Sequence, residues 1–178
     1  MVEQLKEETT KETSTMVDHV ITVRRVTKVT KGGKRFAFSA LVVSGDKNGS
    51  VGIAQGKSRE VSSAIAKATN RARNNLIHIP LRGTTIPYNV IGRHGASSII
   101  MRPAYKGTGV IAGGAVRSIL EALGVQDVLA KSMGASNRMN VVKAALNALA
   151  QLRSLKHIAQ TRGKTVDQIV KGSHEHAR

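Results

Sequence analysis

Val23–Ala40 reads VRRVTKVTKGGKRFAFSA. Six of its eighteen residues are cations (Arg24, Arg25, Lys28, Lys31, Lys34, Arg35) and none is an acid. Its Val and Thr content before the glycines and the alternation after them predict two strands joined by a tight turn at Gly32-Gly33, where adjacent glycines take positive φ without steric cost. The slip in alternation at Arg24-Arg25 predicts a bulge there. Cations flanking a turn with no acidic neighbour point to a finger directed at nucleic acid, with a solvated hairpin as the plainer alternative. On the second strand Phe36, Phe38, Ala40 and Val42 share one face, and Ala37, Ser39, Leu41 and Val43 share the other. Both phenylalanines are read as core packing, with base stacking as the alternative.

The chain has 178 residues, enough for one large domain or two small ones. It has no cysteine, which excludes disulfides and thiolate metal sites. No apolar run approaches the roughly 20 residues that span a bilayer, and the opening VEQLKEETTKE has the charge pattern of neither a secretory signal nor a transit peptide. Met1–Asp18 holds five acids against Lys6 and Lys11, so the rest is more basic than the net charge of +17 suggests. Such a field favours a polyanion. A membrane surface is the competing partner, but it usually asks for an amphipathic helix with large apolar residues or a lipid anchor, and the sequence shows the signature of neither.

Residues 1–18 read as a flexible acidic leader. After the first hairpin, GDKNGS (45–50) predicts a second turn with positive φ at Asn48-Gly49, then a strand over Val51–Gln55. Ser58 is the expected N-cap of a helix from Arg59 to Ile77, whose Val61, Ala64, Ile65, Ala68, Ala72 and Leu76 form one stripe. Lys57, Arg59, Lys67 and Arg71 lie beside or away from it and extend the candidate phosphate-binding surface. Pro80 is expected to close the helix, and LRGTTIPYN to join a second unit. That unit reads as a hairpin turning at Arg93–Gly95, with Pro87 at a sheet edge. A glycine-rich entry, a helix over Gly114–Leu123 ended by Gly124, and a short strand at Val128–Ala130 follow. A helix capped by Asn137 and ending near Leu155 comes next, then a marginal helix in TRGKTVDQIV and a frayed SHEHAR.

Little here suits an enzyme. GTGVIA (107–112), with Asp127 further on, satisfies the loose G-x-G-x-x-G/A dinucleotide pattern, which keeps a dinucleotide-binding enzyme as a remote alternative. Only Asp46, Glu60, Glu121 and Asp127 are acidic between His19 and Val166, leaving little for paired-carboxylate chemistry. His174 and His176 make a poor metal site. No catalytic residue, metal, cofactor or small-molecule substrate is expected.

VTKGGKRFAFSALVVSGDKNGSVGIAQGKSREV and GTGVIAGGAVRSILEALGVQDVLAKSMGASNRMNVVKAAL, in that order and followed by TRGKTVDQI, resemble the two domain signatures and terminal segment of a universal ribosomal family, the bacterial-type small ribosomal subunit protein five. The resemblance covers nearly the whole chain. It implies an α+β fold of two small domains: a double-stranded-RNA-binding-like domain over 19–82 and an α+β domain over 83–160 with a left-handed βαβ crossover, before a tail at 161–178. It implies a ribonucleoprotein role in translation, with binding to small-subunit rRNA at the head–body junction. The glycine turn, Lys31 to Arg35 with Arg25 to Lys28 at its base, is then expected near the decoding region and the spectinomycin site. Gly107, Gly109, Gly113 and Arg117 inherit an interface with small-subunit protein four. Contact with protein eight, with mRNA near the entry channel, a part in fidelity, and a cytoplasmic, most readily bacterial, ribosome are likewise implied, with an organellar one left open. A free-standing RNA-binding protein or RNA chaperone is the competing class.

Overall fold

The computed structural model describes residues 16–171; the acidic leader up to Thr15 and the SHEHAR tail lie outside them. The fold is α+β, with two four-stranded sheets. Contacts group the described residues into two compact units, one reaching to His78 and including Arg117–Gly124, the other formed by Ile79–Val116 and the residues from Val125 onward.

In the first unit β1 (Val17–Thr30), β2 (Gly33–Gly45), β3 (Ser50–Ser58) and β4 (Leu76–His78) form an antiparallel meander, and α1 (Val61–Asn74) packs against β2 and β3. β1 starts inside the stretch assigned to the leader: the Asp18 carboxylate accepts from Ser44 Oγ at 2.6 Å and pairs with Arg73. The register shift falls between Val20 and Thr22 and not at Arg24-Arg25, so both arginines sit in regular pairing. The first turn is Lys31-Gly32, with only Gly33 of the two glycines at positive φ (125°), and Thr30 Oγ1 donates to the Gly33 carbonyl at 3.0 Å.

Further expectations shift for local reasons. In the second turn Lys47 and Gly49, not Asn48, take positive φ, because the Asp46 carboxylate accepts from the amides of Asn48 and Ser50 and folds the loop around itself. Ser58 ends β3, and Glu60 precedes α1 without a side-chain cap. Leu76 and Ile77 leave the helix to pair with β3 as β4, which a helical stripe of apolar residues could not distinguish from one more turn.

The core of this unit is small. Ala64 and Ala68 of α1 are fully buried against Ala40 and Val42, with Phe38 and Ile65 packed at the margin, and Ala72 of the same helix is also fully buried. Gly52 and Gly56 lie directly beneath the helix, where a Cβ would collide with the Ala72 and Ala64 carbonyl oxygens. On the other face of β2, Gly45 lies under the Ala122 backbone, and the amides of Lys47 and Gly49 donate to the carbonyls of Ala122 and Leu123.

The second unit has the order β5-β6-β8-β7, from β5 (Val90–His94), β6 (Ser97–Pro103), β7 (Val110–Ile111) and β8 (Val128–Gly134). β7 and β8 are parallel and are connected through α2 (Gly114–Leu123), so the expected βαβ connection is present. α3 (Arg138–Ala150), capped by Asn137 Oδ1 on the Met139 amide at 3.2 Å, packs on β5 and β6. It ends five residues before the expected Leu155, where α4 (Leu155–Arg162) starts behind a Ser154 cap; α5 (Val166–Lys171) follows. Tyr88 precedes β5: its hydroxyl donates to the Gln151 carbonyl at 3.1 Å and accepts from the Arg153 amide at 2.9 Å. Gly92 repeats the motif of the first unit, lying against Ala144 and Ala148 of α3 with no room for a Cβ.

Gly56→Ala and Gly92→Ala should therefore each destabilise their own unit, although both add a residue with better intrinsic propensity. Overpacking against backbone costs typically about 1–3 kcal/mol, which lowers the melting temperature by roughly 4–8 °C per kcal/mol in a unit of this size. Calorimetry checks this; unchanged melting in both variants would contradict the packing.

Candidate nucleic-acid interface

β3 pairs with β2 only between Gly45 and Phe38, whereas β1 and β2 remain paired out to Thr30 and Gly33. The last five residue pairs of the hairpin, Val26 with Ala37 to Thr30 with Gly33, thus project as a two-stranded ribbon, about 15 Å long at the usual strand rise. Cross-strand pairing sorts its side chains. Arg24 (opposite Ser39) and Lys28 (opposite Arg35) lie on one face, and Ser39 is opposite Lys57 on β3, so four cations share that face. Arg25, Val29, Lys34 and Phe36 lie on the other, and Lys31 sits at the tip.

Arg24, Arg25, Lys28, Lys31, Lys34 and Arg35 are all exposed. The ion pairs among the described residues, Arg73 with Asp18 and Arg117 with Glu121, involve none of them. Lys28 directly opposite Arg35 is an unfavourable cross-strand pair by itself. Its repulsion is relieved when an anion lies between, as a phosphate would. Lys67 and Arg71 stand one turn apart on α1, Arg71 Nη1 donating to the Gln55 carbonyl at 3.3 Å, and Arg59 is exposed in the link from β3 to α1. The predicted cations therefore divide between the ribbon and its neighbouring strand on one hand and the helix side on the other.

The GTG segment is built differently from the nucleotide motif it resembles. Gly107 and Gly109 take positive φ (94° and 78°), and their amides donate to Asp127 Oδ1 at 2.9 and 3.0 Å. The loop precedes a strand, β7, where a dinucleotide loop follows one. Its amides, which would cradle a phosphate, hold a carboxylate of the same chain. The Gly109 amide lowers the pKa of Asp127, against burial that raises it, and Thr84 and Gly107 lower it further. Gly113 accepts from the Val116 amide at 2.9 Å, and Arg117 Nε donates to Glu121 at 2.7 Å.

Residues 16–80 match the family model for ribosomal protein S5, N-terminal domain, and residues 92–162 the model for ribosomal protein S5, C-terminal domain. The chain is 53% identical over 155 residues to the small ribosomal subunit protein uS5 of Flavobacterium psychrophilum, covering 87% of this chain and 89% of the relative. It is 48% identical over 167 residues to that of Dinoroseobacter shibae, covering 93% and 87%. With that of Syntrophobacter fumaroxidans the identity is 49% over 154 residues, covering 86% and 93%. The chain belongs to the uS5 family. Membership makes it a ribosomal protein of structural, non-enzymatic kind. No helix among the described residues is long and apolar enough to cross a membrane.

Three contributions in this uS5 chain escape sequence reading. Asp18 was grouped with an acidic leader and instead ties β1 to Arg73 and Ser44. Asp127, which completes the loose dinucleotide pattern in the sequence, is instead the internal anion of a loop. The outer face of the second sheet carries an apolar groove of about 460 Å³ lined by Ile100, Ile111, Leu129 and Met133 with Arg102 and Lys131. The i, i+2 spacing of Leu129, Lys131 and Met133 was its only signal.

Two expectations follow. Arg35→Thr should leave folding unchanged or slightly firmer, because it removes the repulsion with Lys28. It should also weaken RNA binding and reduce the slope of log K against log salt by roughly one; an unaltered slope would exclude Arg35 from phosphate contact. Asp127 has a lowered pKa, so its contribution is present above the ordinary carboxylate value of about 3.9 and is lost as pH falls through the folded value. The stability advantage of the parent chain over Asp127→Asn, which keeps an acceptor but no charge, should therefore shrink on acidification. Denaturation midpoints along a pH series test it, and a gap that stays constant would contradict it.

Proposed function

We propose that the chain is a structural constituent of the small ribosomal subunit that binds small-subunit rRNA through the β1–β2 ribbon, in a bacterial-type, cytoplasmic ribosome. The observation that carries this reading is the ribbon, which extends beyond its sheet with Arg24, Lys28, Lys31, Lys34 and Arg35 outside any ion pair among the described residues. Such a ribbon gains little for the fold, since among the described residues no third strand pairs with it beyond Phe38. Its charges instead replace condensed counterions on a polyanion. Lys57, Arg59, Lys67 and Arg71 continue the field at its base. A meander carrying one helix suits a double-stranded-RNA-binding-like module that reads backbone shape, with residues 19–82 as one working module and 83–160 as the next.

The finer roles belong to the same proposal. The ribbon braces the head against the body near the spectinomycin site and so biases a two-state subunit, which is how the protein acts on fidelity. The loop at Gly107 and Gly109, its amides satisfied by Asp127, offers a preformed surface to protein, and with Gly113 and Arg117 it serves the contact with small-subunit protein four. The apolar groove at Ile100, Leu129 and Met133 has the composition of a protein interface and suits protein eight. Messenger RNA near the entry channel is the remaining contact. A soluble RNA chaperone is the competing reading, and cosedimentation of tagged protein with small subunits at moderate salt, with crosslinking of Lys31 and Lys34 to rRNA, separates the two.

The turn provides a sharp test. Gly33 requires positive φ, whereas Gly32 does not and has open space around it. Gly33→Asp should impair subunit assembly or alter the spectinomycin response, and Gly32→Ala should do neither. Indifference to Gly33→Asp in assembled subunits would remove the ribbon from that site.

A further inference from the structure

Phe36 and Phe38 follow each other on the same face of β2 and meet different fates. Phe38, within reach of β3, packs on the cluster of Ala40, Val42, Ala64 and Ala68. Phe36 lies on the ribbon beyond β3 and remains 50% exposed. The Arg25 guanidinium lies over its ring, 4.8 Å from the centroid. Val29, 71% exposed, and Lys34 occupy the same face and oppose one another across the ribbon. An exposed aromatic ring on a strand pair with no buried cluster beneath it among the described residues adds little to folding. A ring held by arginine within a field of cations that make no ion pair among the described residues has the composition of a stacking platform for a base.

We propose that Phe36, steadied by Arg25, stacks an unpaired nucleobase, so that the ribbon's two faces divide the work: Arg24, Lys28, Arg35 and Lys57 hold phosphates while Phe36 and Arg25 hold a base. The proposal rests on the RNA-binding reading above and deepens it, because a purely electrostatic ribbon would not distinguish paired from unpaired RNA. Charge complementarity selects the occupant. An apolar protein surface would leave Arg25 and Lys34 buried without a partner, whereas a nucleotide brings a π face for Phe36 and a phosphate for the lysine. Helical RNA keeps its bases stacked upon each other, so the free face must come from a loop, bulge or single strand.

The chain has no tryptophan, so Phe36→Trp places a single indole reporter at the site. Its emission should be quenched by single-stranded oligoadenylate far more than by fully paired RNA of equal phosphate count. Phe36→Leu keeps an apolar side chain at an exposed position, and circular dichroism verifies that it folds. It should bind the oligoadenylate about tenfold or more weakly than the parent, bind the duplex equally well, and retain the parent salt slope. Equal affinity of Phe36→Leu and parent for the oligoadenylate, or an indole indifferent to it, overturns the stacking role while salt-dependent binding persists. A parent chain that binds neither RNA at low salt overturns both this role and the RNA-binding reading beneath it.

Discussion

In both units a helix backbone lies directly on a strand, and the rest of the architecture depends on that closeness. Gly52 and Gly56 sit under the Ala72 and Ala64 carbonyls of α1, and Gly92 sits under Ala144 and Ala148 of α3. The chain has two phenylalanines, two tyrosines and no tryptophan. It cannot fill a wide interlayer space, so its layers approach until small residues fill it. Packing at native density between alanine and glycine provides many short dispersion contacts where a larger core would rely on bulk. It also makes those glycines intolerant of a single methyl group, because what they touch is backbone.

The same economy governs charge. Asp18 is held by Arg73 and Ser44, Asp46 by the amides of Asn48 and Ser50, Asp127 by those of Gly107 and Gly109, and Glu121 by Arg117. Each of these carboxylates ties together a turn, a loop, a helix or a sheet edge. Burial works against the charge on Asp18, and the Arg73 and Ser44 hydrogen bonds outweigh it and lower its pKa; the amides do the same for Asp46. With these acids committed to folding, the cations of the β1–β2 ribbon form no ion pair among the described residues. The acids that hold the fold together and the exposed cations of the ribbon are thus separated in space, so the ribbon's positive field is left unneutralised by them.

Much was legible in the sequence because it rests on local chemistry. Alternation marked β2, Asn137 marked the start of α3, and Gly124 marked the end of α2 with φ at 92°. The charged stretch around Gly32-Gly33 was identified as the candidate site, and all six of its cations are exposed. The misreadings arose where a distant partner decides. Leu76 continues the spacing of α1 but pairs with Gly52, and a helical period says nothing of a neighbouring strand. Gly32 and Gly33 are chemically identical, and only the two-residue closure from Thr30 to Gly33 assigns positive φ to the second.

The amino-acid sequence by itself determined the family, the α+β class and the excess of cations over acids, since motif order, periodicity and composition are properties of the chain alone. Tertiary structure decided which cations share a face, that Phe38 is packed while Phe36 faces solvent, and that Asp127 closes the loop of Gly107 and Gly109. The physical reason is the same in each case: the outcome depends on where β3 stops, or on a carboxylate meeting amides some twenty residues away, and separation in space is not encoded in any local pattern.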